Sequence, residues 1–237
     1  MKQELQKKPG QKEFIQKQNL VITIDGLTGS GKWALAEQLV EHYDLTFLNT
    51  GVSIRALALL AIEQKLVNTD ETNAIDIPAD FPQKVLAMYE NMPEKLTIRR
   101  PLDGSRDARF MVGDRNMLVA LDAYEKRKAI ENLSSIIAAT PEIREKLYTQ
   151  WQRAAQEFGG MVVVGRKPGD DLFPEAQLKI FLHANPDVSA NYRLQRRVMA
   201  NQMVAAEASY VRRRDNKDRA SGLLNPPPDA LVIDTSA

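Results

Sequence analysis

In the stretch Leu20 to Tyr43, LVITIDGLTGSGKWALAEQLVEHY, three glycines and a lysine stand at a spacing that suggests chemistry. Gly26, Gly29 and Gly31 let the backbone curl so that successive N–H groups point inward and form a nest for an anion. Thr28 and Ser30 lie inside the same loop, and Lys32 closes it with a full positive charge suited to β- and γ-phosphates. An apolar strand (Leu20, Val21, Ile22, Ile24) precedes the loop. A helix with Ala36, Leu39, Val40 and Tyr43 at helical spacing follows it. Strand, Gly-x-x-x-x-Gly-Lys, helix is the layout of a phosphate-binding loop, and the helix N-terminus adds partial positive charge. A plain strand–helix turn would also use glycines, but a dinucleotide fingerprint spaces them G-x-G-x-x-G, which this order does not match. One feature departs from the pattern: Ser or Thr directly after the lysine normally ligates Mg²⁺, and here Trp33 and Ala34 follow.

The elements that must hold this loop follow from the rest of the chain. At 237 residues, it suits one large α/β domain with insertions or two small ones. A net charge of +1 gives no global basic field of the kind nucleic-acid binders carry, so no nucleic-acid partner is expected. No cysteine is present, which excludes disulfides, thiol nucleophiles and Cys-type zinc sites. Two histidines are too few for most His-based metal centres, and no metal-ligand cluster is read from the sequence. No apolar run approaches the ~20 residues that span a bilayer, and a cytoplasmic location is expected. Residues 1–19 carry five lysines and two glutamates without an apolar core, and are read as a disordered tail.

Leu45 to Leu48 reads as a second strand, turning at Asn49-Thr50-Gly51 into a helix striped with Ile54, Leu57, Ala58, Ala61 and Ile62. Asn68 to Asp80 is polar, with Pro78 and Pro82 as breakers. Leu96–Arg100 and Ala108–Val112 read as a hairpin, and Met117–Phe158 as helix interrupted at Pro141. Met161–Val164, Leu178–Leu182 and Leu231–Ile233 are short apolar strands, with a long helix expected from Pro186 capped by Asn185. Strands alternating with helices predict a parallel sheet covered on both faces. The predicted core is 20–66 and 151–237, with 67–150 inserted. Between Arg193 and Arg219, eight basic residues face three acids; such a run is either a solvated helix face or a set of guanidinium forks for phosphoryl oxygens.

With these motifs in hand, the chain resembles the bacterial cytidylate (CMP) kinase family from about Val21 to Ser236. Ile22-Thr23-Ile24-Asp25-Gly26 is similar to its ITIDG, and Leu48-Asn49-Thr50-Gly51-Val52-Ser53-Ile54-Arg55 to its LDTGAMYR. Phe173-Pro174-Glu175-Ala176 resembles its FPDA, Arg213 to Arg219 its RDxxDxxR lid, and Asp229 to Thr235 its DALVIDT. The resemblance implies a P-loop nucleoside monophosphate kinase fold with an inserted acceptor domain and a short arginine-rich lid at about 190–222. It implies transfer of the ATP γ-phosphoryl to CMP, dCMP or a related pyrimidine monophosphate. Mg²⁺ would be held mostly by water and phosphate. Carried over, Gly26, Thr28, Gly29, Ser30, Gly31 and Lys32 would hold ATP. Arg55 and Arg166 would take the acceptor phosphate, with Thr50 also binding the substrate, and Arg193 and Arg214 would close on the transferred group. Asp218 would bind the acceptor ribose, while Ser135 and Arg144 would read the base.

The departures from that family cluster at the same places. Its GKGT is Lys32-Trp33-Ala34, and its DGRD is Val164-Gly165-Arg166-Lys167, which removes both aspartates. Lys167 stands where an acid would accept from the cytosine amino group. An ammonium is only a donor, so a base with a carbonyl there would suit it better. Ser221 replaces the last lid arginine, and the family continues past its DTS into a closing helix where this sequence ends at Ala237. Two readings therefore stand: a working pyrimidine nucleotide kinase, or a kinase-like nucleotide-binding or regulatory protein with impaired transfer that acts through a protein partner or as a sensor. On both, Trp33 matters, because its indole could crowd the loop or pack against a neighbouring element.

Overall fold

The computed structural model describes residues 20–27, 29–69, 75–124, 127–185, 216 and 225–236. In chain order they form β1 (Leu20–Gly26), α1 (Lys32–Tyr43), β2 (Thr46–Asn49), α2 (Thr50–Glu63), β3 (Asn68–Thr69), β4 (Ile75–Asp76) and α3 (Phe81–Asn91). There follow β5 (Leu96–Arg99), β6 (Arg109–Val112), β7 (Arg115–Asn116), α4 (Met117–Ala123), α5 (Arg127–Ala139) and α6 (Pro141–Phe158). The last elements are β8 (Gly160–Val164), a π-helical turn at Pro168–Leu172, β9 (Leu178–His183) and β10 (Leu231–Asp234).

Five strands make one sheet in the order β10-β9-β1-β8-β2, and every pairing is parallel. Such a sheet must be covered on both faces, and the apolar runs of β1, β8 and β9 supply side chains to each. On one face Ile22, Ile24, Val162, Val164, Ile180 and Leu182 pack with Ala36 and Val40 of α1. On the other, Val21, Met161, Val163 and Leu48 join a larger core with α2, α3, α5 and α6. There Trp151 of α6 buries its indole and donates from Nε1 to Ser53 Oγ of α2 at 3.0 Å. Strand alternation thus sends Thr23 and Asp25 to the face opposite α1, where the π-helical turn lies.

The segment between α2 and α6 carries a second, antiparallel sheet, β5-β6-β7. The expected hairpin is present with a third, two-residue strand. The expected long helical stretch is three helices, α4, α5 and α6, with α4 ending before Tyr124 and Thr140 between α5 and α6. A helix not expected from the sequence is α3, where Pro82 sits in the first turn, the place in a helix where a missing N–H costs nothing. The helix expected from Pro186 lies outside the described residues. Asn185 is described, and its N–H donates to Ser236 Oγ at 2.8 Å. No helix among the described residues is long and apolar enough to cross a membrane.

Candidate active site

The parallel register brings three strand ends into one row. Val164 of β8 pairs with Ile24 of β1 on one side and Asn49 of β2 on the other. One residue further, Asp25, Gly165 and Thr50 therefore stand side by side at the C-terminal edge of the sheet. From β1 the chain crosses toward β2, and from β8 it crosses the opposite way to β9. Oppositely directed crossovers leave a crevice between β1 and β8, the place where open α/β sheets bind ligands.

On the β1 side of this crevice is the glycine loop. Gly26, Gly29 and Gly31 all have positive φ, at 130°, 85° and 86°, and Gly31 is the N-cap of α1. Gly26 has a second reason to be glycine. A Cβ there would come within 2.2 Å of Leu182 O, because β1 and β9 are paired to their ends. Ser30 is buried, and its hydroxyl has no hydrogen-bond partner among the described residues. Its carbonyl accepts from Thr235 Oγ1 at 3.1 Å, which ties the end of β10 to the loop. Lys32 Nζ donates to Gly26 O at 2.8 Å and to Leu27 O, so its ammonium lies across the mouth of the loop. Thr28 is outside the described residues.

Trp33 does not fill the loop. Its ring meets Phe47 of β2 edge to face, with centroids 4.8 Å apart, and Nε1 donates to Glu37 Oε1. Its role is packing in the α1 cluster, which settles the alternative left by the sequence.

On the β8 and β2 side, Thr50 Oγ1 donates to Val164 O at 3.2 Å and Asn49 Oδ1 caps α2 through Gly51 N at 3.1 Å. Arg55 folds back over this first turn, so that a Cβ on Gly51 would stand 3.2 Å from its Nη1. Arg166 follows Gly165 directly and is half-buried. Thr50, Arg55 and Arg166 thus share the two strand ends beside the loop. Lys167, in a left-handed conformation at φ 57°, heads the π-helical turn and pairs with Asp170 Oδ2 at 3.0 Å. The Lys167 ammonium is charge-compensated by a carboxylate three residues on. Farther out, Ser135 of α5 returns its hydroxyl to Glu131 O at 3.3 Å, and Arg144 of α6 has a buried Nε with no hydrogen-bond partner among the described residues. Arg193, Arg214, Asp218 and Ser221 lie outside the described residues.

Among the described residues, no side chains make a protein-held metal site. Val164, in the place of the family's strand-end acid, is packed in the apolar cluster on the α1 face. Ala34 has no oxygen to offer, and no group of three acids or histidines among the described residues could hold an ion.

One residue in the row stands out that sequence reading had quoted without a role. Asp25 is almost fully buried, accepts from Gly169 N at 3.1 Å, and its pKa is raised to about 7. Burial is the main cause. The Gly169 amide, the Lys32 ammonium and the Lys167 amide pull the other way, and Asp170 adds to the rise. An acid ending an apolar strand was the available signal; its burial depends on the turn that covers it.

Comparison with known proteins fits this geometry. The sequence model of cytidylate kinase matches residues 22–237. The chain belongs to the cytidylate kinase family. A cytidylate kinase of Aeromonas hydrophila is 32% identical over 230 residues, covering 92% of this chain and 87% of that protein. One from Saccharophagus degradans is 32% identical over 227 residues, covering 92% and 91%. A third, from Pectobacterium atrosepticum, is 30% identical over 229 residues, covering 91% and 88%. The fold of the family is therefore the fold seen here, a parallel P-loop kinase sheet flanked by helices.

Proposed function

We propose that this protein is a nucleoside monophosphate kinase of the cytidylate kinase type, transferring the γ-phosphoryl of ATP–Mg²⁺ to CMP or dCMP. The observation that carries the proposal is the shared row of strand ends. It puts the glycine loop and Lys32 beside Gly165-Arg166 and Thr50-Arg55, with Trp33 turned away onto Phe47. Phosphoryl transfer asks little covalent chemistry of the protein; positioning and charge supply most of the rate.

In this reading, Gly26, Thr28, Gly29, Ser30, Gly31 and Lys32 cradle the ATP phosphates. Lys32 exchanges its two carbonyl partners for β- and γ-oxygens, and the orphan hydroxyl of Ser30 gains one. Arg55 and Arg166, with Thr50, hold the acceptor phosphate in line. Arg193 and Arg214 neutralise the transferring group, and Asp218 takes the acceptor ribose. Ser135, Arg144 and Lys167 face the base, and residues 67–150 form the acceptor-binding region. Mg²⁺ arrives with ATP as part of the substrate, held mostly by phosphate and water, since Trp33 and Ala34 offer no hydroxyl directly after the lysine.

The test is a coupled phosphotransfer assay of every nucleoside monophosphate with ATP–Mg²⁺, run beside calorimetric binding. Turnover highest with CMP and dCMP is expected. Nucleotide binding without turnover would select instead a kinase-like binding protein that works through a partner.

A further inference from the structure

Asp25 joins the two halves of the site. Its carboxylate accepts from Gly169 N in the turn that continues from Arg166 and Lys167, and Lys32 Nζ is bound to the carbonyl of the next residue, Gly26, near enough for the ammonium to favour the ionised carboxylate. The contact with the turn is built rather than incidental. A Cβ on Gly169 would lie 2.6 Å from Thr23 Oγ1 and 3.2 Å from Asp25 Oδ2, so only glycine lets the turn's backbone reach the carboxylate. Among the described residues, three charged side chains bear on it. Lys32 comes from α1, and Asp170 from the turn, already paired with Lys167. Lys179 of β9 lies under Gly169, but its ammonium is taken by Asp229 at 2.7 Å. Lys32 is thus the one of these cations that a ligand at the loop would draw away.

We propose that Asp25 is a positioning residue coupling the loop lysine to the acceptor-phosphate turn, and that it takes up a proton when polyphosphate engages Lys32. The proposal rests on the loop being the ATP site. In the free protein burial raises the Asp25 pKa to about 7, and the Lys32 ammonium and two backbone amides keep it from rising further. An incoming polyphosphate takes the ammonium and brings negative charge, so both changes raise the Asp25 pKa. The carboxylate then binds one proton from bulk water and becomes neutral, while its other oxygen still accepts from Gly169. By linkage, ATP binds more weakly as pH rises through the range where free Asp25 ionises.

The experiment is titration of the protein with ATP–Mg²⁺ at pH 7.5 in HEPES and in Tris, whose ionisation heats differ, comparing wild type with Asp25→Asn. The difference cancels the nucleotide's own protonation. Wild type is expected to take up more protons than the variant. Its affinity is expected to fall about tenfold between pH 6.5 and 8.5, against little change in Asp25→Asn. Equal proton numbers or parallel pH profiles overturn the proposal and leave the nucleotide site standing. No binding heat in either protein removes the nucleotide site itself, and the proposal with it. Should Asp25→Asn not fold, a carbon-13 carboxyl titration of Asp25 in wild type decides: its midpoint must rise when ATP–Mg²⁺ is added, and an unmoved midpoint overturns the coupling.

Discussion

The Trp33 indole and the Asp25 carboxyl carry opposite lessons about the same loop. Trp33 directly follows the loop lysine, yet it packs on Phe47 and leaves the loop open. Trp33→Ala is expected to lower unfolding stability by about 2 kcal/mol, less than a fully buried aromatic would cost. ATP–Mg²⁺ affinity should stay within about threefold, and denaturant melts with calorimetry check both; a large gain in affinity would place the indole in the phosphate hollow. Asp25 acts on stability through pH. Its pKa is raised from 3.8 to about 7 on folding, so between those values the folded state binds more protons than the unfolded one. Stability therefore falls as pH rises across that window, and the contribution is lost above it. Melts of wild type and Asp25→Asn at pH 5 and pH 8 should show the variant losing less stability at pH 8. A parallel loss in both would mean that Asp25 is already ionised. For Lys167, the ion pair with Asp170 bears on base choice: Lys167→Asp with Ser221→Arg is expected to raise CMP turnover relative to UMP, and an unchanged ratio would show that this position does not read the base.

At the scale of elements, what was legible in the sequence was what has a strong local period. β8 is a continuous apolar run, β1 and β9 are largely apolar, and α1 and α2 carry helical stripes after glycine- or asparagine-marked starts. Their parallel pairing, and hence the row Asp25, Gly165, Thr50, follows from strand–helix alternation. What was not legible depends on context. Pro82 reads as a breaker but opens α3; β3, β4 and β7 are two residues each, too short for any pattern. The π-helical turn has no sequence period, and its apposition to Asp25 through Gly169 is a long-range contact. A different close approach, between the ends of β1 and β9, makes Gly26 a sensitive glycine of the loop. Gly26→Ala would set a Cβ against the Leu182 carbonyl in a conformation unfavourable to side chains. A loss of at least about 3 kcal/mol is expected in chemical denaturation, with ATP binding lost. Wild-type stability in that variant would mean that β1 and β9 can separate at their ends.

For the whole molecule, the claim is that one edge of one sheet gathers donor and acceptor phosphates. Apart from the loop itself, the site is assembled from strand ends far apart in sequence, which is why no single motif announced it. The measurement that tests this most directly is kcat/KM for CMP with saturating ATP–Mg²⁺, in wild type and in Lys32→Ala. Removing one preorganised charge at a transferring phosphoryl group is expected to lower the rate by about 100-fold or more, with the fold intact by circular dichroism. Wild-type turnover of CMP that survives unchanged in Lys32→Ala would contradict the account, because the glycine loop would then not be where the phosphates are held.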